Sequence, residues 1–307
     1  MEKLLITGAS GLLGANAVLA AIGDFHVTAV YHRQQLTHPQ IITVLADLTV
    51  VEQVERVIRD CHPDVILHAA ALTDIDRCEL DPKAAFQHNR DMPQAIARCA
   101  HEIGAYLIHI STDAIFDGVN GGYSESDSPR PINIYGESKV AGENAVLTHC
   151  SHSIVVRTNF FGWNAQDKQS LAEWFLSRLN AGEMTPGFDD VWFSPILVNQ
   201  LIEIIFLITR LRLEGVYHVA GSDCLSKFDF AKQLASVFDL DQRNVKPVSV
   251  ESAGLKAPRT KKLCLDTRRI REGLGIEMPR IESGLLTFKA LYDQGYAHRL
   301  KSIIQCG

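Results

Sequence analysis

The sequence predicts an α/β fold, in which helices cover both faces of a parallel, doubly wound sheet and a smaller second lobe follows. Two observations lead to this prediction. Short apolar runs alternate with helical patterns as far as Arg157, and beyond that residue the alternation becomes irregular. A chain of 307 residues can form one large α/β unit or two domains that share a cleft. We therefore assign residues 1–160 to the sheet domain and residues 161–307 to a partly intercalated lobe.

Each predicted element has its own local pattern. The strands are short, mainly apolar runs, typical of strands buried on both faces, and the helices repeat apolar side chains every three or four positions. In chain order these elements are Lys3–Thr7, a helix from about Leu12, His26–Tyr31, Ile41–Leu45, a helix over Val50–Cys61, Val65–His68, a helix over about Pro82–Ile103, Tyr106–Ile110, a helix over about Tyr135–His149, and Ser153–Arg157. Further helical patterns lie near Ser170–Ala181, Leu197–Arg212, Lys227–Phe238 and Arg280–Asp293, between loops that contain Gly or Pro.

The composition is that of an ordinary globular chain. It has 30 Lys and Arg residues against 36 Asp and Glu residues, a formal net charge of −6, and 46% hydrophobic residues, which excludes intrinsic disorder. Basic residues do not cluster in groups of five or more. The charge pattern therefore gives no reason to expect a nucleic acid or an anionic membrane as a partner.

The cysteines and the N-terminus predict a cytoplasmic protein. Seven scattered cysteines without a CxxC pair fit a reducing compartment; they are Cys61, Cys78, Cys99, Cys150, Cys224, Cys264 and Cys306. The chain runs from Met1 straight into a strand pattern, which leaves no room for a signal peptide. The apolar stretch Ile196–Ile208 is interrupted by polar residues and is shorter than the ~20 residues that cross a bilayer, so we predict a core helix there.

A glycine-rich turn, TGASGLLG at Thr7–Gly14, follows the first strand and opens the first helix. Gly8 permits the tight turn, Gly11 lets the backbone approach a diphosphate, and Gly14 allows helix and strand to pack closely. The pattern predicts a Rossmann-type dinucleotide site, with a plain strand-to-helix turn as the alternative. The expected cofactor contacts are Gly8, Ser10, Gly11, Leu12, Leu13 and Gly14.

The end of the second strand predicts which dinucleotide is bound. A carboxylate at this position favours NAD, but here the strand ends in Tyr31 followed by His32 and Arg33. Arg33 can pair with a 2′-phosphate, which favours NADP, or it is a solvated loop charge. Asp47 and Leu48, after the third strand, are expected adenine contacts, although an acidic turn residue explains Asp47 nearly as well.

Two motifs predict the catalytic groups. Tyr135 and Lys139 lie four residues apart, so a helix places them on one face, where the ammonium can lower the pKa of the phenol and reach the nicotinamide ribose. Ser111, Thr112 and Asp113 end an apolar strand at the carboxyl edge, where ligands of such sheets bind. A hydroxyl there can hydrogen-bond both a substrate carbonyl and the tyrosine.

These motifs resemble those of the extended short-chain dehydrogenase/reductases, and most closely the dTDP-4-dehydrorhamnose reductase group. The resemblance rests on TGASGLLG, on His68–Ala71 with Thr73 and Asp74, on Asn89, on STDAIFDG (Ser111–Gly118), on YGESKVAGE (Tyr135–Glu143), on Arg157–Asn159, on YHVAGSD (Tyr217–Asp223), and on Pro258, Arg259 and Leu265–Thr267. The likeness covers nearly the whole chain.

The resemblance implies a reaction: NADPH reduces the C4 ketone of a nucleotide-linked 4-keto-6-deoxysugar, as in dTDP-rhamnose biosynthesis. It implies that Tyr135 protonates the developing alkoxide, that Lys139 tunes Tyr135, and that Thr112 orients the carbonyl. Further implied cofactor contacts are Ala69, Ala70, Ala71 and Asn89, and implied substrate contacts are Thr73, Ser111, Thr112, Asp113, Asn159 and Trp192. We expect a monomer or a homodimer, with NAD as a possible second cofactor.

One departure leaves other functions open. The group usually has Tyr after the Ser-Thr-Asp, where this chain has Ala114. A non-catalytic, NADP-binding regulatory subunit resembling that of methionine adenosyltransferase therefore remains an alternative. An epimerase or dehydratase is a third possibility, although dehydratases typically carry an acidic pair where Asp113 is followed by Ala114.

The segment Gly182–Pro195 corresponds to the place where the family's second lobe meets the substrate. Its Phe188, Trp192 and Phe193 can stack on a base or can serve as hydrophobic anchors, and Arg157 and Arg259 can face a diphosphate. The histidines His149 and His152 have no third or fourth ligand at a recognisable spacing, so we predict no metal site.

Overall fold

The computed structural model describes residues 1–304. Its strands are β1 Lys3–Thr7, β2 His26–Tyr31, β3 Ile41–Leu45, β4 Val65–His68, β5 Tyr106–Thr112, β6 Ser153–Thr158, β7 Phe160–Phe161, β8 Thr185–Phe188, β9 Trp192–Phe193, β10 Ile196–Leu197, β11 Gly215–His218, β12 Leu225–Ser226 and β13 Val245–Val248. Its α-helices are α1 Leu12–Ala21, α2 Val51–Cys61, α3 Ile75–Leu80, α4 Pro82–Phe86, α5 Met92–Ile103, α6 Ile134–His149, α7 Leu171–Asn180, α8 Val198–Leu211, α9 Lys227–Val237, α10 Arg268–Leu274, α11 Ile281–Asp293 and α12 Tyr296–Ser302.

Seven parallel strands form the main sheet, in the order β11-β6-β5-β4-β1-β2-β3. The chain moves outward from β1 to β3 and then crosses to β4 on the other side of β1. A crevice opens at such a switch point, outside the carboxyl ends of the strands. The register aligns Thr7 with His68 and His68 with His109, so β1 and β4 end together and β5 extends beyond them to Thr112 at the same edge. The predicted doubly wound sheet is confirmed.

One predicted helix is wrong in detail. The segment expected to run continuously over Pro82–Ile103 is divided into α4, a π-helical turn at Gln87–Asp91, and α5. Pro93 lies in the first turn of α5 and has no N–H for the carbonyl four residues earlier, that of Asn89. The interruption therefore falls where the proline removes a hydrogen bond.

The second half of the chain adds one strand to the main sheet and otherwise forms helices and two-stranded pairs. The expected core helix is confirmed as α8, which buries Val198, Leu201, Ile205 and Ile208. β11 then joins the edge of the sheet beside β6. The remaining strands pair only two by two, as β7 with β10, β8 with β13, and β9 with β12.

Among the described residues, Cys224 and Cys264 form a disulfide bond. A reducing compartment, expected from the scattered cysteines, does not account for this bond. The partners are 40 residues apart, so no local motif could reveal the pairing. The cysteines Cys61, Cys78, Cys99 and Cys150 are free thiols, and Cys306 lies outside the described residues. Within residues 1–304, none of the helices combines the length and the apolar character that a membrane span needs.

Candidate functional site

A cavity of about 690 Å³ lies at the switch point and is lined by the glycine-rich turn, by the residues that follow β2 and β3, and by the end of β5. It brings together most of the residues that the sequence singled out. These are Gly8, Ser10, Gly11, Leu12, Leu13, Gly14, His32, Arg33, Asp47, Leu48, Ala69, Ala70, Ala71, Thr73, Ser111, Thr112, Tyr135, Lys139 and Asn159. Asn89, Asp113 and Trp192 are not part of its lining.

Gly8 and Gly14 in the glycine-rich turn pack too closely against backbone atoms to carry side chains. Gly8 has a φ of +63°, and a Cβ there would lie 2.8 Å from Ala70 Cα. A Cβ on Gly14 would lie 2.2 Å from the carbonyl oxygen of Gly8. The first turn of α1 carries no acidic residue, so its free N–H groups face the cavity without a competing negative charge. The turn is therefore a backbone cradle suited to a diphosphate.

Three segments of the cavity lining carry charged groups: the residues after β2, the residues after β3, and the turn that contains His88. His32 Nε2 lies 3.9 Å from Asp47 Oδ2, and Arg33 is exposed at the rim. Hydrogen bonds from Thr49 lower the pKa of Asp47, and the charge of His88 adds to this effect. His88 is a lining residue that the sequence does not mark, because a single histidine in a helical segment has no distinctive pattern.

Tyr135 and Lys139 project from the first two turns of α6, whose N-terminus is capped by Asn133 through a 2.9 Å bond from Gly136 N. Both side chains are buried, with exposed fractions of 8% and 2%. Lys139 Nζ donates a 2.7 Å hydrogen bond to the carbonyl oxygen of Ile110. The helix thus holds the phenol and the ammonium against the end of β5.

Burial governs the protonation of this pair. It raises the pKa of the Tyr135 phenol. Burial also lowers the pKa of Lys139 to about 8, while the charge of Glu143 opposes this. The ammonium donates its hydrogen bond to the carbonyl oxygen of Ile110, and its expected lowering of the pKa of the phenol stays a prediction.

Thr112 and Asp113 form a small hydrogen-bonded unit beside Tyr135. Thr112 Oγ1 donates to Asp113 Oδ1 at 3.1 Å and accepts from Ala114 N at 3.2 Å. Asn159 Nδ2 donates to Asp113 Oδ2 at 2.8 Å. Burial raises the pKa of Asp113 to about 6, although its hydrogen bonds oppose the rise. Asp113 thus lies behind Thr112, outside the cavity lining.

Asn89 links the loop after β4 to helix α6 through hydrogen bonds outside the cavity lining. Its side-chain amide donates to Leu72 O and to Ser138 Oγ, both at 3.0 Å, and accepts from Leu72 N at 2.9 Å. The backbone carbonyl oxygen of Asn89 contacts Gly142, where an added Cβ would lie only 1.9 Å from that oxygen. Asn89 therefore joins the loop after β4 to α6, and all its amide groups are used within the protein.

A buried ion pair lies one turn beyond Lys139. Arg157 Nη2 lies 2.7 Å from Glu143 Oε2, and Ser111 Oγ donates to Glu143 Oε1 at 2.5 Å. Both charged side chains are almost fully buried. Arg157 is committed to this pair, so the hypothesis that it faces a diphosphate is wrong.

The second-lobe aromatics divide between core and surface. Phe193 is buried against Phe230, with ring centroids 5.7 Å apart, so it is a hydrophobic anchor and not a base-stacking residue. Trp192 is 37% exposed and lies outside the cavity lining. Phe188 is partly buried beneath the ammonium of Lys227.

The histidine pair after α6 has ordinary protein partners. His149 bonds to Gln94, and His152 Nδ1 lies 2.7 Å from Glu214 Oε1. In the part of the chain that the structure describes, no group of three or more His, Cys, Asp or Glu residues could hold a metal ion.

Comparison with known proteins extends over almost the whole chain. Residues 1–293 match the family model described as RmlD substrate binding domain. The chain is 34% identical over 275 residues to a dTDP-4-dehydrorhamnose reductase of Mycobacterium tuberculosis, covering 87% of this chain and 86% of the relative. It is 32% identical over 293 residues to methionine adenosyltransferase 2 subunit beta of Rattus norvegicus, and the match covers 90% of this chain and 83% of the relative.

A solved structure agrees with this comparison. The dTDP-4-dehydrorhamnose reductase of Bacillus anthracis, in complex with NADP, superimposes with a TM-score of 0.82 at 30% sequence identity. The superposition covers 94% of this chain and 99% of that chain.

Proposed function

Because the chain belongs to the RmlD substrate binding domain family, we propose that it is an NADPH-dependent reductase that acts on the 4-keto group of a nucleotide-linked 6-deoxysugar. One observation carries the proposal. Thr112, Tyr135 and Lys139 share a single cavity with the glycine-rich cradle Gly8–Gly14, at the switch point of the sheet.

The residues of the cavity fit a nicotinamide dinucleotide phosphate. Gly8 and Gly14 pack directly against backbone atoms, and the turn lines the cavity at the N-terminus of α1, whose free N–H groups would hold the diphosphate. His32 and Arg33 would hold the 2′-phosphate, with Asp47 and Leu48 beside the adenine. Lys139 would reach the nicotinamide ribose. When bound, NADPH supplies the hydride of the reduction.

The protein's own groups supply the proton and orient the ketone. The raised pKa keeps the Tyr135 phenol protonated at neutral pH, the state that a proton donor requires. Tyr135 gives its proton to the oxygen as negative charge develops there. Thr112 would orient the ketone by donating its hydroxyl proton to the same oxygen in place of Asp113 Oδ1. Lys139 adds a buried positive charge that favours the developing alkoxide.

The regulatory-subunit reading remains the second candidate, because methionine adenosyltransferase 2 subunit beta matches this chain at nearly the same identity as the reductase. Ala114 is the residue that favours it. This side chain is buried near Tyr135, where the group usually has a second phenol. A protein of this kind would bind NADP(H) without reducing a sugar.

Turnover separates the two candidates. Purified protein is incubated with NADPH and a panel of dTDP-, GDP- and CDP-4-keto-6-deoxysugars, and the loss of reduced-nicotinamide absorbance is followed. The proposal predicts steady consumption of NADPH with at least one of these substrates. Tight NADPH binding without consumption on any of them would favour the regulatory reading, and Ala114→Tyr would then show whether the missing phenol is the cause.

A further inference from the structure

A disulfide-bonded strap contacts the helix that carries Tyr135. We define the strap as residues 257–266, which lie between the short 3₁₀ helix Val250–Ala253 and α10 and form no regular helix or strand. Cys264 in the strap is bonded to Cys224, which immediately precedes β12. Cys224 is exposed, whereas Cys264 is 6% exposed. A thiol in solution can therefore reach one sulfur of this bond.

The first part of the strap holds the N-terminal cap of α6. Asn133 is this cap, and its Oδ1 accepts a 2.9 Å hydrogen bond from Gly136 N. The other end of the same amide, Nδ2, donates a 3.0 Å hydrogen bond to Pro258 O of the strap. Asn133 is only 4% exposed, so the strap carbonyl fixes the orientation of the cap in a place that little water reaches. Tyr135 is the second residue of the helix that this cap begins.

The second part of the strap is hydrogen-bonded on two sides. Tyr123 N, in the segment between β5 and α6, donates to Cys264 O at 3.0 Å. Leu263 N donates to Trp192 O of β9 at 2.8 Å. β12, which follows Cys224, is itself paired with β9. The disulfide therefore links two segments that both pair with β9.

We propose that the disulfide between Cys224 and Cys264 is a redox-sensitive lock on the candidate active site. When the bond is closed, it keeps the strap against Asn133 and so positions the helix that carries Tyr135. The bond joins residues 40 positions apart, so its cleavage gives the strap more conformations in which Pro258 O has left the cap.

The opening reaction is a two-electron reduction by a dithiol. A thiolate of the dithiol attacks the exposed sulfur of Cys224 and breaks the S–S bond, and Cys264 leaves as a thiolate that takes up a proton. The second thiol of the reductant then gives its proton to the sulfur of Cys224 and displaces it, so the reductant becomes a cyclic disulfide. A disulfide oxidant reverses both steps.

Hydrogen exchange with mass spectrometry tests the lock without requiring any activity. Reduction by dithiothreitol should add two thiols per chain, counted by titration in denaturant. It should speed amide exchange by about fivefold or more in peptides that cover residues 118–137 and 257–266. Peptides that cover the glycine-rich turn should not change, because none of the strap residues is part of the cavity lining that contains this turn.

A second measurement, of turnover, rests on the proposed function. With a 4-keto sugar nucleotide that supports turnover, reduction should lower kcat about fivefold, the value of one helix cap or one neutral hydrogen bond. NADPH affinity should change by less than about twofold, because the strap lies outside the cavity lining. Cys224→Ser should show the lower kcat with or without dithiothreitol. The matched control is Cys61→Ser, which removes a free thiol and should respond to dithiothreitol as the unmodified protein does.

Four results would overturn the inference. They are an unchanged thiol count on reduction, unchanged exchange over residues 118–137, an equal kcat in the two redox states, and a response to dithiothreitol that persists in Cys224→Ser. Failure of the reductase proposal is distinguishable, because the exchange measurement needs no turnover. Thermal melting shows whether Cys224→Ser is folded, and the unmodified protein in its two redox states decides the question if it is not.

Discussion

Lys139→Met should stabilise the fold while it removes function. The buried ammonium has its pKa lowered from the ordinary value of 10.5 to about 8, because burial opposes its charge. At about 1.4 kcal/mol for each pH unit, the charged lysine costs the folded state about 3 kcal/mol at pH 7. The variant also loses the hydrogen bond to Ile110 O, which stabilises the unmodified protein by about 1 kcal/mol. We therefore expect Lys139→Met to raise the free energy of unfolding by about 2 kcal/mol.

The sign of the pH dependence follows from the same lowering. Between pH 8 and pH 10.5 the unfolded chain holds a proton on Lys139 that the folded protein has lost, so the unmodified protein gains stability as pH rises through this range. The cost of the lysine falls to about 1 kcal/mol near pH 9.5. The advantage of Lys139→Met should therefore shrink with rising pH.

Urea unfolding of both proteins at pH 7 and pH 9.5 measures this difference, with Lys232→Met as the control for loss of a partly exposed charge. NADPH binding and turnover should both fall in Lys139→Met. A variant that is less stable than the unmodified protein at pH 7, or whose advantage does not change with pH, would refute the reasoning.

Three further perturbations test other parts of the site. Arg33→Ala should weaken NADPH by about 10-fold or more and leave NADH nearly unchanged, as titration with both cofactors would show; equal affinities in the unmodified protein would remove the basis for an NADP preference. Thr112→Val should lower kcat with little effect on NADPH affinity, because it removes only the hydroxyl that orients the ketone, and a large loss of NADPH binding would speak against that role. Glu143→Ala leaves the buried Arg157 without its partner and should cost about 3–5 kcal/mol in urea unfolding, whereas a cost below about 1 kcal/mol would mean that this ion pair does not hold the site together.

The sequence was most informative where the signal is local. The apolar runs of β1 to β6 and the glycine-rich turn depend on neighbouring residues, and the structure places them as predicted. The prediction that Tyr135 and Lys139 lie on one helix face depends on local sequence in the same way, since a helix brings residues four positions apart onto one face.

Properties set by distant residues could not be predicted in this way. From the sequence, Arg157 was a candidate ligand of a diphosphate, but in the fold its guanidinium pairs with Glu143. Phe193 looked like a stacking residue until the core around Phe230 enclosed it. The disulfide between Cys224 and Cys264 and the position of His88 at the cavity likewise depend on segments far apart in the sequence.

The protonation of the site was the least predictable property. The expected effect of Lys139 on the Tyr135 phenol assumed that adjacency on a helix face brings the two groups together. In the fold the ammonium is bonded to Ile110 O, and burial dominates the pKa of both groups. A sequence gives the spacing of two charges but not the solvent around them.

The central claim is that Tyr135 gives the proton in an NADPH-dependent ketone reduction, and Tyr135→Phe tests it most directly. NADPH binding and NADPH consumption are measured for the variant and the unmodified protein, with the 4-keto sugar nucleotide that the panel identifies. We predict that NADPH affinity changes by less than about twofold, because only a hydroxyl is removed, while turnover falls by ~10²–10⁴-fold. Full turnover in Tyr135→Phe, or NADPH binding without any turnover in the unmodified protein, would contradict the account.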